Sequence, residues 1–122
     1  MLGFDAILYP VARKQRDSGS WRKAGRGFRR PSRLGTPIAE WNVSWDQTRW
    51  LDDLIEQDLA RQLCWNGYPL AYAVSVAGLK SKLEQGIPAR GIEKLQLTPE
   101  ALGRLDRIGD STWIYLEMWD QS

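Results

Sequence analysis

Residues 44–66 carry the start, the face and the stop of an amphipathic helix. Ser44 followed by Gln47 has capping-box spacing, Asp46 adds negative charge to the first turn, and Asn66-Gly67 supplies residues that tolerate a left-handed stop. At about 100° per residue, Leu51, Leu54, Ile55 and Leu59 share one arc, opposite Arg49, Asp53, Glu56, Gln57 and Ala60. This pattern predicts one long helix that buries its leucine face against a sheet. Asp58 falls inside the apolar arc, where a carboxylate is expected at the rim, paired with Arg61 one turn on or with an arginine of the basic segment.

The other elements follow from local signals. Residues 4–11 (FDAILYPV) and 37–43 (PIAEWNV) read as strands, with Pro10 pointing to an edge or a strand end. Residues 70–76 alternate Leu70, Tyr72, Val74 and Val76 with Ala71, Ala73 and Ser75, a strand whose small face leaves room for a close helix; a helix is the alternative there. Residues 77–85 read as a short helix ended by Gly86 and Pro88. Thr98-Pro99 opens another helix, with Leu97 placed to staple against Leu102 and Gly109 as its stop. Residues 112–119 place Thr112, Ile114, Leu116 and Met118 on one face and Trp113, Tyr115, Glu117 and Trp119 on the other. Both faces are largely apolar, so this strand is interior or its second face meets a partner. The expected fold is a single α+β domain over residues 1–122. It has a small mixed or antiparallel sheet of about four strands, three helices mainly on one face, and a basic Arg/Gly-rich hairpin or arm at residues 13–36.

Composition limits the chemistry. The chain has no histidine, the commonest general base near neutral pH and the commonest zinc ligand. Its one cysteine, Cys64, cannot form an internal disulfide, which suits a reducing compartment. No phosphate-binding loop, dinucleotide fingerprint, nucleophile elbow or paired-cysteine motif occurs. Asp52, Asp53 and Glu56 lack the further ligand that a hard cation needs and read as a solvated acidic face. No apolar run reaches membrane-spanning length, and residues 1–11 lack the layout of a secretion signal. The expectation is a cytoplasmic protein that is not an enzyme and holds neither cofactor nor metal.

Charge is where the sequence speaks about partners. Residues 1–34 carry nine Lys/Arg and two acids, a net +7, while the remainder is −5. Arginine dominates this segment, and its planar fork suits bidentate contacts to phosphate or carboxylate. Gly25-Arg26-Gly27-Phe28-Arg29-Arg30 resembles an RG-rich RNA-binding patch. The candidate partner-binding residues are Arg16, Trp21, Arg22, Lys23, Arg26, Phe28, Arg29, Arg30 and Arg33, joined by Trp50. Of the seven tryptophans, Trp21, Trp50 and either Trp113 or Trp119 are expected to be partly exposed as interface anchors. The competing explanation is intramolecular: the acidic residues of the long helix, net −3 over residues 45–64, could hold part of the arm. The expected function is that of an inhibitor, immunity protein or complex subunit of phage or bacterial type. It would occupy a protein or ribonucleoprotein surface that is acidic or phosphate-rich, with direct binding of RNA or single-stranded nucleic acid as the alternative and a small enzyme using carboxylate and arginine chemistry third.

Overall fold

In a computed structural model, the structure describes residues 3–11, 21, 30–31, 34–44, 46–64 and 70–120. The centre of the molecule is β5 (Trp113–Asp120), the run whose two faces are both apolar in sequence. It lies between β1 (Gly3–Tyr9) and β4 (Leu70–Ser75), and the sheet is completed at its edges by β2 (Ala39–Ser44) and β3 (Ala60–Cys64). The order β2-β1-β5-β4-β3 is antiparallel at every step. The sheet is therefore purely antiparallel, with five strands among the described residues instead of about four. Pro10 follows β1 and ends it, as expected for a residue that cannot donate to a ladder. The outer edge of β2 is partly covered, because Arg90 N–H donates to the Asn42 carbonyl at 2.8 Å.

The helix expected over residues 44–66 is cut to α1 (Arg49–Glu56). Gln47 does reach back to Ser44 N–H at 3.0 Å, but this half of a capping box closes a turn ahead of Thr48, the residue that precedes the helix. The helix stops in a Schellman arrangement: Asp58 N–H donates to Ile55 O at 3.1 Å and Leu59 N–H to Leu54 O at 2.8 Å. Asp58 takes the left-handed position, at φ 58°, which Asp tolerates better than most residues. Its side chain faces solvent 3.6 Å from Arg61, the pairing expected of a rim carboxylate. The chain then joins the sheet as β3. Pairing with β4 overrides residues 60–64 as helix formers, an outcome that propensity cannot foresee. Leu51 and Leu54 keep the buried role that their arc implies.

Helix α2 (Val76–Gln85) ends at the expected glycine but starts at Val76, which the alternation assigns to the preceding strand, whereas α3 (Pro99–Ile108) begins and ends where its local signals place it. In α2, Ser75 Oγ accepts from Gly78 N–H at 3.0 Å, and Gly86 closes the helix. In α3, Thr98 Oγ1 accepts from Ala101 N–H at 3.1 Å, Pro99 opens the first turn and Gly109 is the stop. Gly78 marks the tightest helix packing, since a Cβ there would lie 3.1 Å from both Leu54 and Leu59. Among the described residues no helix is long and apolar enough to cross a membrane.

All three helices cover one face. Leu51, Leu54, Val76, Leu79, Ala101 and Leu105 pack there against Ala6, Val43, Val74, Ile114, Leu116 and Met118 of the sheet. The opposite face carries a separate cluster of Val11, Trp21, Leu63, Ala71, Ala73, Trp113 and Tyr115. The small face of β4 was expected to receive a helix. Its alanines, paired across to Glu117 and Tyr115 of β5, instead leave space for the rings of Trp21, Trp113 and Tyr115. Most of the basic hairpin or arm expected over residues 13–36 lies outside the described residues, which there comprise Trp21, Arg30, Pro31 and residues 34–36.

Two measurements check this packing. Leu54→Ala, at a residue 1% exposed, is expected to cost about 2–5 kcal/mol in urea unfolding, and Ile55→Ala less because that side chain is half-buried. Burial, helped by the Asp52 charge, pushes the Tyr72 phenol up to about 12 from its ordinary 10.0. A neutral phenol favoured by folding stabilises fully below the unfolded value. Stability should thus fall as pH rises from about 10 toward 12, with Tyr72→Phe lacking that component.

Candidate functional site

Side chains alternate along a strand, so one face of β5 presents Trp113, Tyr115, Glu117 and Trp119 in sequence. The helices occupy the other face. Glu117 is 0% exposed, and a carboxylate taken out of water must be met by charge and hydrogen bonds or it destabilises the fold by several kcal/mol. It is met by four hydrogen bonds from three side chains. The Tyr115 hydroxyl donates to Oε2 at 3.0 Å and Trp119 Nε1 donates to Oε1 at 3.3 Å. Arg30, from the N-terminal arm, donates through Nε to Oε2 and through Nη2 to Oε1 at 3.2 Å. The guanidinium thus grips both carboxylate oxygens side-on, the geometry in which arginine forks bind most strongly. It also lies 5.5 Å from the centre of the Tyr9 ring, a cation–π contact. The hydrogen bond to Glu117 is the main cause that raises the Arg30 pKa above its ordinary value.

The arm has a second anchor on the same strand. Trp21 stacks on Tyr115 with centroids 6.0 Å apart and planes 11° from parallel, and Tyr115 in turn lies 6.3 Å from Tyr9. Arg61 of β3 donates through Nη1 to the Trp21 carbonyl while its guanidinium sits 5.3 Å from the Trp113 ring. One arginine of the arm therefore holds the sheet, and one arginine of the sheet holds the arm. Tyr115 and Glu117 are two residues apart on a strand, so the two anchors engage β5 about 7 Å apart.

This geometry revises the expected site. Trp21 is 5% exposed and Trp50 is 4% exposed, so neither is a free interface anchor: Trp21 fills the second core and Trp50 fills the first. Trp113 is buried as well, while Trp119 keeps partial exposure as expected for one of that pair. Arg30 is spent largely on an internal carboxylate, with 48% of its side chain still in contact with solvent. Arg16, Arg22, Lys23, Arg26, Phe28, Arg29 and Arg33 lie outside the described residues. The intramolecular explanation also changes. The described arm residues and α1 sit on opposite faces of the sheet, so the acidic helix does not receive Trp21 or Arg30, and Asp53 of α1 instead pairs with Lys82 at 3.1 Å.

Glu117 carries no role in the sequence-based expectation, although it stands on the predicted second face of the last strand. A lone carboxylate within WIYLEMW, where every neighbour is apolar or aromatic, was the available signal. On an interior strand such a residue requires a cation from elsewhere in the chain. Among the described residues no group of three or more His, Cys, Asp or Glu side chains is placed to hold a metal ion. A groove of about 540 Å³ between α2, α3 and the preceding loop is lined by Leu83, Leu97 and Leu102; Lys80 at its rim is paired with Asp106 at 2.7 Å and Asp110 at 2.8 Å.

Comparison with protein-family models, with curated protein sequences and with solved structures finds no match for this chain. The site is therefore read from its own chemistry. Removing Arg30 leaves Glu117 buried without its cation, so Arg30→Ala should cost about 3 kcal/mol in urea unfolding, with Arg30→Lys recovering part of the loss.

Proposed function

We propose that the chain is a non-enzymatic binding protein that works by covering an acidic surface of another macromolecule with its basic N-terminal segment. The observation that supports this reading is that Trp21 and Arg30, which flank the basic run, sit on the face of the sheet away from the acidic helix. Residues 22–29, between these two, contain Arg22, Lys23, Arg26 and Arg29 and no acid, a net +4. Glu117 is already matched by Arg30. Anchors at Trp21 and Arg30 limit the reach of the segment, which lowers the ordering cost of binding.

Burial of Trp21 and Trp50 favours a protein surface over single-stranded nucleic acid. Base stacking needs accessible aromatic faces, and neither indole offers one. On this reading the chain acts as a cytoplasmic inhibitor, immunity protein or complex subunit of bacterial or phage type.

The test is affinity capture from a bacterial lysate with and without nuclease, comparing the natural chain with a variant in which Arg22, Lys23, Arg26 and Arg29 are replaced by Gln. The expected result is a partner that survives nuclease, is lost with the variant and is released by moderate salt. The variant's stability should change by under about 0.5 kcal/mol. Equal recovery by the variant would sink the reading. A partner lost on nuclease treatment, with affinity falling by about a hundredfold or more between 50 and 200 mM salt, would replace it with nucleic-acid binding.

A further inference from the structure

Lys82 of α2 is the one buried cation among the described residues, at 8% exposed. Its Nζ donates to Asp53 Oδ2 of α1 at 3.1 Å and to Gln85 Oε1 at 3.3 Å, so Lys82 and Asp53 neutralise each other and tie the two helices together. A cleft of about 350 Å³ opens beside this pair, with Trp50 and Pro88 as its large apolar residues and with Asp46 and Arg49 on its wall. Asp46 and Arg49 are both exposed, and among the described residues neither has a side-chain partner. The first turn of α1 borders the same cleft and is also unmet. Thr48 gives it no side-chain cap, and Arg49 N–H, Trp50 N–H and the buried Trp50 Nε1 have no acceptor among the described residues.

We infer that this cleft binds a small zwitterion of the α-amino acid class with an apolar side chain: its carboxylate meets Arg49 and the first turn of α1, its ammonium meets Asp46, and its side chain meets Trp50 and Pro88. Charge dictates the class. With Lys82 and Asp53 spent on each other, the cleft keeps one anion and one cation that are not paired together. A plain carboxylate would bring a like charge up to Asp46, and a plain amine would bring one up to Arg49, whereas a ligand carrying both signs satisfies both. The unmet N–H groups of the first turn, at the positive end of the helix dipole, favour the carboxylate at that side. Size points the same way, since ligand sites run from about 300 to 1,000 Å³ and this one lies at the small end. The buried bridge between Lys82 and Asp53 fixes the two walls before a ligand arrives, which lowers the ordering cost of binding. This inference goes beyond the surface that residues 22–29 meet and is independent of it.

The experiment is calorimetric titration of the full chain with L-leucine and with L-phenylalanine at constant ionic strength. Isocaproate and isopentylamine serve as controls, because each keeps the apolar part of leucine and one of its two charges. The expected result is saturable binding of at least one of the amino acids, with an affinity about tenfold or more above either control. Arg49→Gln and Asp46→Asn, both at exposed positions, should each lower that affinity about tenfold and leave the urea midpoint unchanged. No saturable binding of either amino acid, equal binding of a control, or full affinity in either variant would each overturn the inference.

Discussion

A carboxylate at the middle of a sheet's central strand cannot be left without a cation, and in this protein that requirement ties the N-terminal third of the chain to its last strand. Glu117 lies on the face of β5 that no helix covers. Its charge needs compensation from within the chain, and Arg30 provides it across 87 residues of sequence. The aromatic residues flanking Glu117 on that face need cover for a different reason, the apolar area of Trp113 and Tyr115. Trp21, Val11 and Leu63 supply that cover in a second, smaller core. Electrostatic and hydrophobic demands thus recruit the same segment to the same strand.

The sheet also stands between acidic α1 and the two described residues that flank the basic run. Trp21 and Arg30 lie on the face of β5 opposite α1, with packed residues on each side. The acidic helix therefore takes neither of them, and Asp53 pairs with Lys82 instead. Burial removes Trp21 and Trp50 from any list of exposed anchors.

Legibility followed the range of each signal. Thr98 caps α3 through a bond to a residue three positions on, as its local pattern signals, whereas Ser75, read as a strand residue, caps α2 in the same way. The two apolar faces of residues 112–119 allowed the interior position that β5 takes. Residues 44–66 misled because the apolar arc is satisfied by eight helical residues as well as by twenty. Asp58 at positive φ and the pairing of residues 60–64 with β4 decided where helix gave way to strand. The tryptophans misled because their position relative to a helical arc says nothing of what lies beyond the helix. Trp50 meets the sheet, and Trp21 meets Tyr115.

By itself the sequence determined the α+β class, a last strand apolar on both faces, the C-terminal helix with its Thr98 cap, the Gly86 end of α2, and the concentration of positive charge in residues 13–33. These depend on periodicity, local hydrogen bonding and charge count, all of which act over a few residues or over composition. The tertiary structure decided that Trp21 packs on the sheet's second face, that Glu117 and Arg30 meet, and that these two residues stand across the sheet from the acidic helix. Those facts depend on which residues become neighbours once strands pair. Cross-strand pairing is a long-range choice, made by the summed burial of both faces and carried by no single stretch of chain.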